Sequence, residues 1–209
     1  MKCQICNIRK PRRYCPGVSG EICSLCCGTE REVTVNCPHD CEYLREARIH
    51  ERPPDIDPGQ IPNRDIRITE EFIGSHEPLI TFLCAALIRS VLDAPSVIDS
   101  DVREALESLV RTYRTLQSGL YYESLPENPL AAAICKDIAE RIAELKESIR
   151  EQTGASIRDA EILGVLVFLQ RIESQHNNGR KMGRAFIDFL RSYFPKKAPS
   201  EAQPLLIEP

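Results

Sequence analysis

The sequence predicts a mainly α-helical chain: a small Cys-rich module followed by an antiparallel helical bundle of about five helices. Three observations carry this. Eight of the ten cysteines lie within the first 41 residues. Four prolines and a glycine interrupt residues 51–63. Beyond residue 69, apolar side chains recur every three to four positions in successive segments, the period of an amphipathic helix. The 209 residues therefore divide into a module at 1–50, a Pro-rich linker at 51–68, a bundle at 69–195 and a tail at 196–209. The tail is expected to be disordered.

The module comes first. Cys3, Cys6, Cys15, Cys23, Cys26, Cys27, Cys37 and Cys41 include two Cys-x-x-Cys pairs, 3/6 and 23/26, the second extended by Cys27. Two residues between thiolates let a tight turn aim both sulfurs at one ion, and a tetrahedral zinc then needs a second pair from elsewhere. The opening residues MKCQICNIRK contain no apolar signal region, so a cytoplasmic location with reduced thiols is the expectation, and metal rather than disulfides. Eight thiolates match two four-coordinate zinc ions. An iron–sulfur cluster also takes four cysteines, but these are spread over 39 residues rather than gathered in one run. One zinc with spare thiols is the nearer rival, and His39 is a possible substitute ligand.

The run Tyr14-Cys15-Pro16, followed by Cys23-Ser24-Leu25-Cys26-Cys27, resembles the core of HIT-type zinc fingers, relatives of MYND fingers. The resemblance covers residues 3–41 and implies a two-zinc cross-brace. Carried over, it puts Cys3, Cys6, Cys23 and Cys27 on one ion and Cys15, Cys37 and Cys41 on the other. The family's partner for Cys15 falls where this chain has Val18, leaving a vacancy for Cys26 or His39. The resemblance implies an interaction module and not a catalyst.

The ligand inventory points the same way. Catalytic zinc keeps an open position for water, whereas thiolates saturate both ions here. So short a segment, poor in large apolar residues, cannot bury a self-sufficient core, so metal must supply the stability.

Residues 51–63 cannot sustain a helix and form a hinge of limited reach, with Ile56 and Ile61 able to pin it to a surface. In the bundle, Thr69 caps a short turn carrying Phe72 and Ile73. Ser75 is placed as the N-cap of a helix running to Leu92, with Pro78 in its first turn. A second helix follows Ser100, carries Val102, Leu106, Leu109, Val110, Tyr113 and Leu116, and stops at Gly119. Asn128-Pro129 opens a third, with Ile134, Ile138 and Ile142 along one face and Gly154 closing it. Ser156 starts a fourth, whose centre from Ile162 to Leu169 is nearly all apolar and is predicted to be the most buried segment. The final helix carries Met182, Phe186, Phe189, Leu190 and Phe194 and ends at Pro195.

Composition narrows the function. With 42% hydrophobic and 28% charged residues the chain is an ordinary globular protein, and a net charge of -4 excludes a strongly basic nucleic-acid coat. Trp is absent and aromatics are 6%, leaving few rings to stack on bases. No apolar run reaches the roughly 18 residues of a membrane span. No catalytic constellation is visible. Glu140, Glu144, Glu147 and Glu151 alternate with Lys136, Arg141, Lys146 and Arg150, a solvated face and not a di-metal site. Tyr121 and Tyr122 are placed at the bundle end.

Two basic groups are candidate contacts for protein or nucleic acid: Arg9, Lys10, Arg12 and Arg13 in the module, and Arg180, Lys181, Arg184 and Arg191 near the last helix. Each has a plainer explanation, neutralising the anionic metal–thiolate centres or pairing within the chain. The leading expectation is a non-enzymatic zinc-binding adaptor or regulatory protein acting through protein–protein interaction. Nucleic-acid binding through Arg9–Arg13, or a thiol–zinc redox sensor using Cys26 and Cys27, are the alternatives. Nothing in the sequence sets the oligomeric state.

Overall fold

The computed structural model describes residues 1–51, 57–94, 96–120 and 122–194. Ile56, Tyr121 and the tail from 196 lie outside the described residues. The architecture is mainly α, as the periodicity predicts: eight α-helices and a single two-stranded sheet among the described residues.

The module holds the sheet, β1 (Arg13–Cys15) against β2 (Gly20–Ile22), antiparallel with Cys15 opposite Gly20. Helices α1 (Ser24–Glu30) and α2 (Glu42–His50) follow, neither of them singled out from the sequence. Both begin at a cysteine, Cys23 for α1 and Cys41 for α2.

The bundle contains short α3 (Glu70–Ser75) and five longer helices: α4 (Glu77–Leu92), α5 (Asp99–Gln117), α6 (Pro129–Thr153), α7 (Asp159–His176) and α8 (Ala185–Tyr193). Helix α5 packs chiefly on α7 and α6. The centre of α7 is buried throughout except at Phe168, since Ile162, Leu163, Val165, Leu166, Val167 and Leu169 are all inside. Three starts differ from the prediction. Ser75 closes α3, its hydroxyl donating to the carbonyls of Glu71 and Phe72, so α4 starts after His76. At α5 and α7, carboxylates at the third helical position, Asp101 and Glu161, accept from the backbone N–H of Ile98 and Arg158 and move each start away from the nearby serine. Asn128 and Gly154 bound α6 as expected, the first accepting from Leu130 N–H at 3.0 Å and the second left-handed at φ 70°.

The described part of the linker lies across the bundle. Arg171 donates to the carbonyls of Pro62, Asn63 and Ile66, and Arg114 clasps Asn63 and Asp65. Residues 62–66 are thus tied to α5 and α7.

Asp99, 4% exposed, accepts from the N–H groups of Phe186 and Ile187 and so caps α8. Burial pushes its carboxyl up to about 7, with the negative charges of Glu173 and Glu32 adding to the rise and the two N–H bonds opposing it. An unfolded Asp titrates near ~3.9. Between roughly pH 4 and 7 the folded chain therefore holds a proton that the unfolded chain has lost, and stability from this group falls as pH rises. Above pH ~7 the loss is complete and the contribution is flat. Urea midpoints in excess zinc are expected to fall from pH 6 to pH 7.5, and the slope to shrink in Asp99→Asn; an unchanged slope in the variant would assign the pH dependence elsewhere.

Candidate metal centre

The N-terminal Cys-x-x-Cys forms a tight turn. Asn7 N–H donates to Cys3 carbonyl at 2.8 Å and Asn7 takes φ 54°, a conformation Asn tolerates. Gln4 N–H donates to Glu21 carbonyl at 3.0 Å, which hangs this turn on β2. Strand β2 runs directly into Cys23 and the first turn of α1, delivering the second pair opposite the first. The Sγ atoms of Cys3, Cys6, Cys23 and Cys26 all lie within 4.8 Å of one another. A tetrahedral zinc with Zn–S of about 2.3 Å separates its sulfurs by about 3.8 Å, a spacing that falls inside the limit the four sulfurs meet. Four cysteines so placed could hold a metal ion.

The surroundings suit thiolates. Cys23 N–H donates to Cys3 Sγ at 3.2 Å and Cys26 N–H to Cys23 Sγ at 3.4 Å. N–H groups of Arg9 and Ile8 lower the Cys6 thiol to about 6. At Cys3 burial opposes ionisation, but N–H groups of Cys6, Cys23 and Ile5 outweigh it and hold the thiol below its usual range. Cys26 is pushed up to about 12 by burial and by the neighbouring sulfurs of Cys23, Cys6 and Cys3. Four negative sulfurs cannot share this volume alone, and a cation at the centre removes the conflict.

This quartet departs from the resemblance at one position: Cys26, and not Cys27, completes it. The two residues are adjacent on α1, roughly 100° apart around the helix, and Cys26 is the one turned inward. Cys15, Cys37 and Cys41 pack in the same cluster of the module, with Cys15 and Cys37 buried. The Cys3–Cys6–Cys23–Cys26 group is the single set of three or more potential ligands this close among the described residues. His39 directs Nδ1 at Asp188 of α8, 2.8 Å away. All ten cysteines are free of disulfides.

The basic candidates fall into different surroundings. The Arg9 guanidinium interacts with Cys23 and Cys6, and Arg13 sits 3.9 Å over the Tyr43 ring with Nη1 3.7 Å from Cys27 Sγ. Lys10, Arg12 and Lys181 are exposed. Arg180 donates to Arg31 carbonyl at 2.8 Å and pairs with Glu51, and Arg191 lies 3.8 Å from Asp188. Arg184 does not belong to an outer basic face: it is 1% exposed, and its guanidinium reaches the carbonyls of Val97 and Cys37 and the side chain of Asn36. Burial makes it an internal strut between module and bundle.

That junction was not foreseen. Its centre is Glu32, wholly buried at φ 55°, whose carboxylate accepts from Arg48, from Asn178 and from the backbone N–H of Arg184. Asp188 adds His39 and Arg48. Asn178 and Arg184 lie about 150 residues from Glu32 in sequence, and no local pattern announces them. The module is therefore seated on the start of α8.

Among the described residues no helix is long and apolar enough to cross a membrane. Comparison with family models, curated proteins and solved structures returned no match to this chain.

Proposed function

We propose that this chain is a non-enzymatic zinc protein acting as an adaptor or regulator, in which zinc holds the shape of a module seated on a helical bundle. The observation that carries the reading is the closed sulfur shell of Cys3, Cys6, Cys23 and Cys26: four thiolates fill a tetrahedral ion and leave no position for water or substrate. Thiolate ligands in this number favour zinc over hard oxygen-seeking cations. Ile8, Tyr14 and Leu25 are exposed on the module and are the apolar side chains a protein partner would meet there.

Elemental mass spectrometry on chain purified without added metal is expected to return zinc. The cobalt-substituted protein is expected to keep its visible spectrum when azide or imidazole is added, because no coordination position is open. Iron in place of zinc, or a spectrum that moves with added ligand, would overturn the reading. Cross-linking to a partner is then expected to weaken when Ile8, Tyr14 and Leu25 are replaced by Ser, with zinc content unchanged.

Exposed Lys10 and Arg12 favour the second reading, nucleic-acid binding. It is weaker because Arg9 and Arg13 turn toward sulfur. It predicts affinity for single-stranded RNA or duplex DNA that falls steeply between 50 and 200 mM salt. On the adaptor reading, Lys10→Gln with Arg12→Gln changes partner binding little, and no salt-steep affinity is found.

A further inference from the structure

We infer that the module carries a second metal site, formed by Cys15, Cys27, Cys37 and Cys41, which takes a thiophilic divalent cation of the same class as the first. This deepens the zinc reading and rests on it. The first quartet consumes Cys26, so Cys27 is the thiol left over with Cys15, Cys37 and Cys41, and all four belong to the one apolar cluster of the module.

Local geometry ties the four together. An added Cβ on Gly17 would sit 2.6 Å from the Asn36 carbonyl and 2.8 Å from Val35, so the turn after Cys15 lies directly on the chain leading into Cys37. Arg13 and Cys15 are alternate residues of β1 and share one face of the strand. From that strand Arg13 Nη1 reaches Cys27 Sγ at 3.7 Å. Cys27 also receives Arg31 Nη2 at 3.8 Å, and Arg31 bridges Val35, two residues before Cys37. Cys27 is thus linked through Arg13 to the strand that carries Cys15 and through Arg31 to the segment that carries Cys37. Cys41 closes the set from the start of α2.

Charge supplies an independent argument. A divalent ion in four thiolates is a net anion, and cations in its outer shell stabilise it. Arg9 takes that position at Cys6 and Cys23 of the first quartet. Arg13 and Arg31 take it at Cys27, where two guanidinium groups on one sulfur match a metal-bound thiolate. No three of these four sulfurs lie within 4.8 Å of one another, so the site requires metal binding to draw them together. His39 is the competing fourth ligand. Its Nδ1 is turned to Asp188, a contact that also serves the junction with α8.

Metal per chain, read by elemental and native mass spectrometry on the full chain, tests this. The wild type is expected to carry two zincs, Cys27→Ser one, and His39→Ala two. One zinc in the wild type overturns the second site and leaves the first reading standing, whereas a chain without metal overturns both. Two zincs in Cys27→Ser with one in His39→Ala overturns the ligand set. A cobalt titration of metal-free wild type needs no variant to fold. Sulfur-to-cobalt charge-transfer absorbance is expected to rise through two equivalents with equal increments. A smaller second increment, or a stop at one equivalent, overturns the site.

Discussion

Chelation of the metal is expected to unfold residues 1–51 while α4 to α7 remain helical. The module buries only three large apolar side chains besides its cysteines, namely Ile22, Val35 and Leu44. Such a core cannot repay the conformational entropy of ordering some fifty residues, at about 1–2 kcal/mol each for the backbone alone. A structural zinc contributes apparently ~10–16 kcal/mol in finger peptides, enough to reverse the balance. The bundle has its own contiguous core from Leu83 to Leu190 and needs no metal. After chelation, far-UV circular dichroism is expected to keep most of its helical signal. Amide protection is expected to vanish from the module and to weaken at the start of α8, where Glu32 no longer holds Arg184. A module still protected without metal would mean that docking on the bundle suffices to fold it.

The second large effect is expected at Glu32. Its carboxylate has no access to water and is met by the Arg48 guanidinium, the Asn178 amide and the Arg184 N–H. Glu32→Ala leaves the Asn178 amide and the Arg184 N–H without their acceptor and strips Arg48 of its most buried partner, while Glu51 and Asp188 remain to it. Breaking one side of a buried pair costs about 3–5 kcal/mol. Urea melts of the metal-loaded chain are expected to show a loss of that order, and Glu32→Gln a smaller one because one oxygen still accepts. Arg48→Met in the Glu32→Ala background is expected to add to the loss, since Arg48 still pairs with Glu51 and Asp188 when Glu32 is gone. A change within about 0.5 kcal/mol, typical of surface substitutions, would mean the junction contributes nothing to stability.

Helix identity was legible because it is written in neighbours three and four positions apart. Asn128-Pro129, Gly154 and the apolar run 162–169 each behave as their local chemistry dictates. Helix starts were less legible at Ser75, Ser100 and Ser156, where serine is a good cap in isolation. Carboxylates of Asp101 and Glu161 compete for the same orphan N–H groups and set two of the boundaries, while α3 absorbs Ser75. The short helices α1 and α2 have too few apolar residues to show a period.

The metal centre divides along the same line. That the first 41 residues carry a cysteine group able to hold a metal follows from cysteine number and pair spacing, which are properties of adjacent residues. The choice of Cys26 over Cys27 depends on the rotation of α1 against the turn at Cys3–Cys6, set by the β1–β2 pairing and by Gln4 bonded to Glu21. The fate of Arg184 was further out of reach. Its spacing of seven from Arg191 reads as an exposed basic stripe, yet it is buried against Asn36 and Cys37, some 147 residues away. Sequence periodicity reports which face of a helix is polar and determined the helices of the bundle, while cysteine spacing determined the module and its candidate sulfur site. Only the tertiary structure decided what each polar face meets, because a buried ion pair joins residues that share no sequence neighbourhood and becomes favourable only when both are removed from water together.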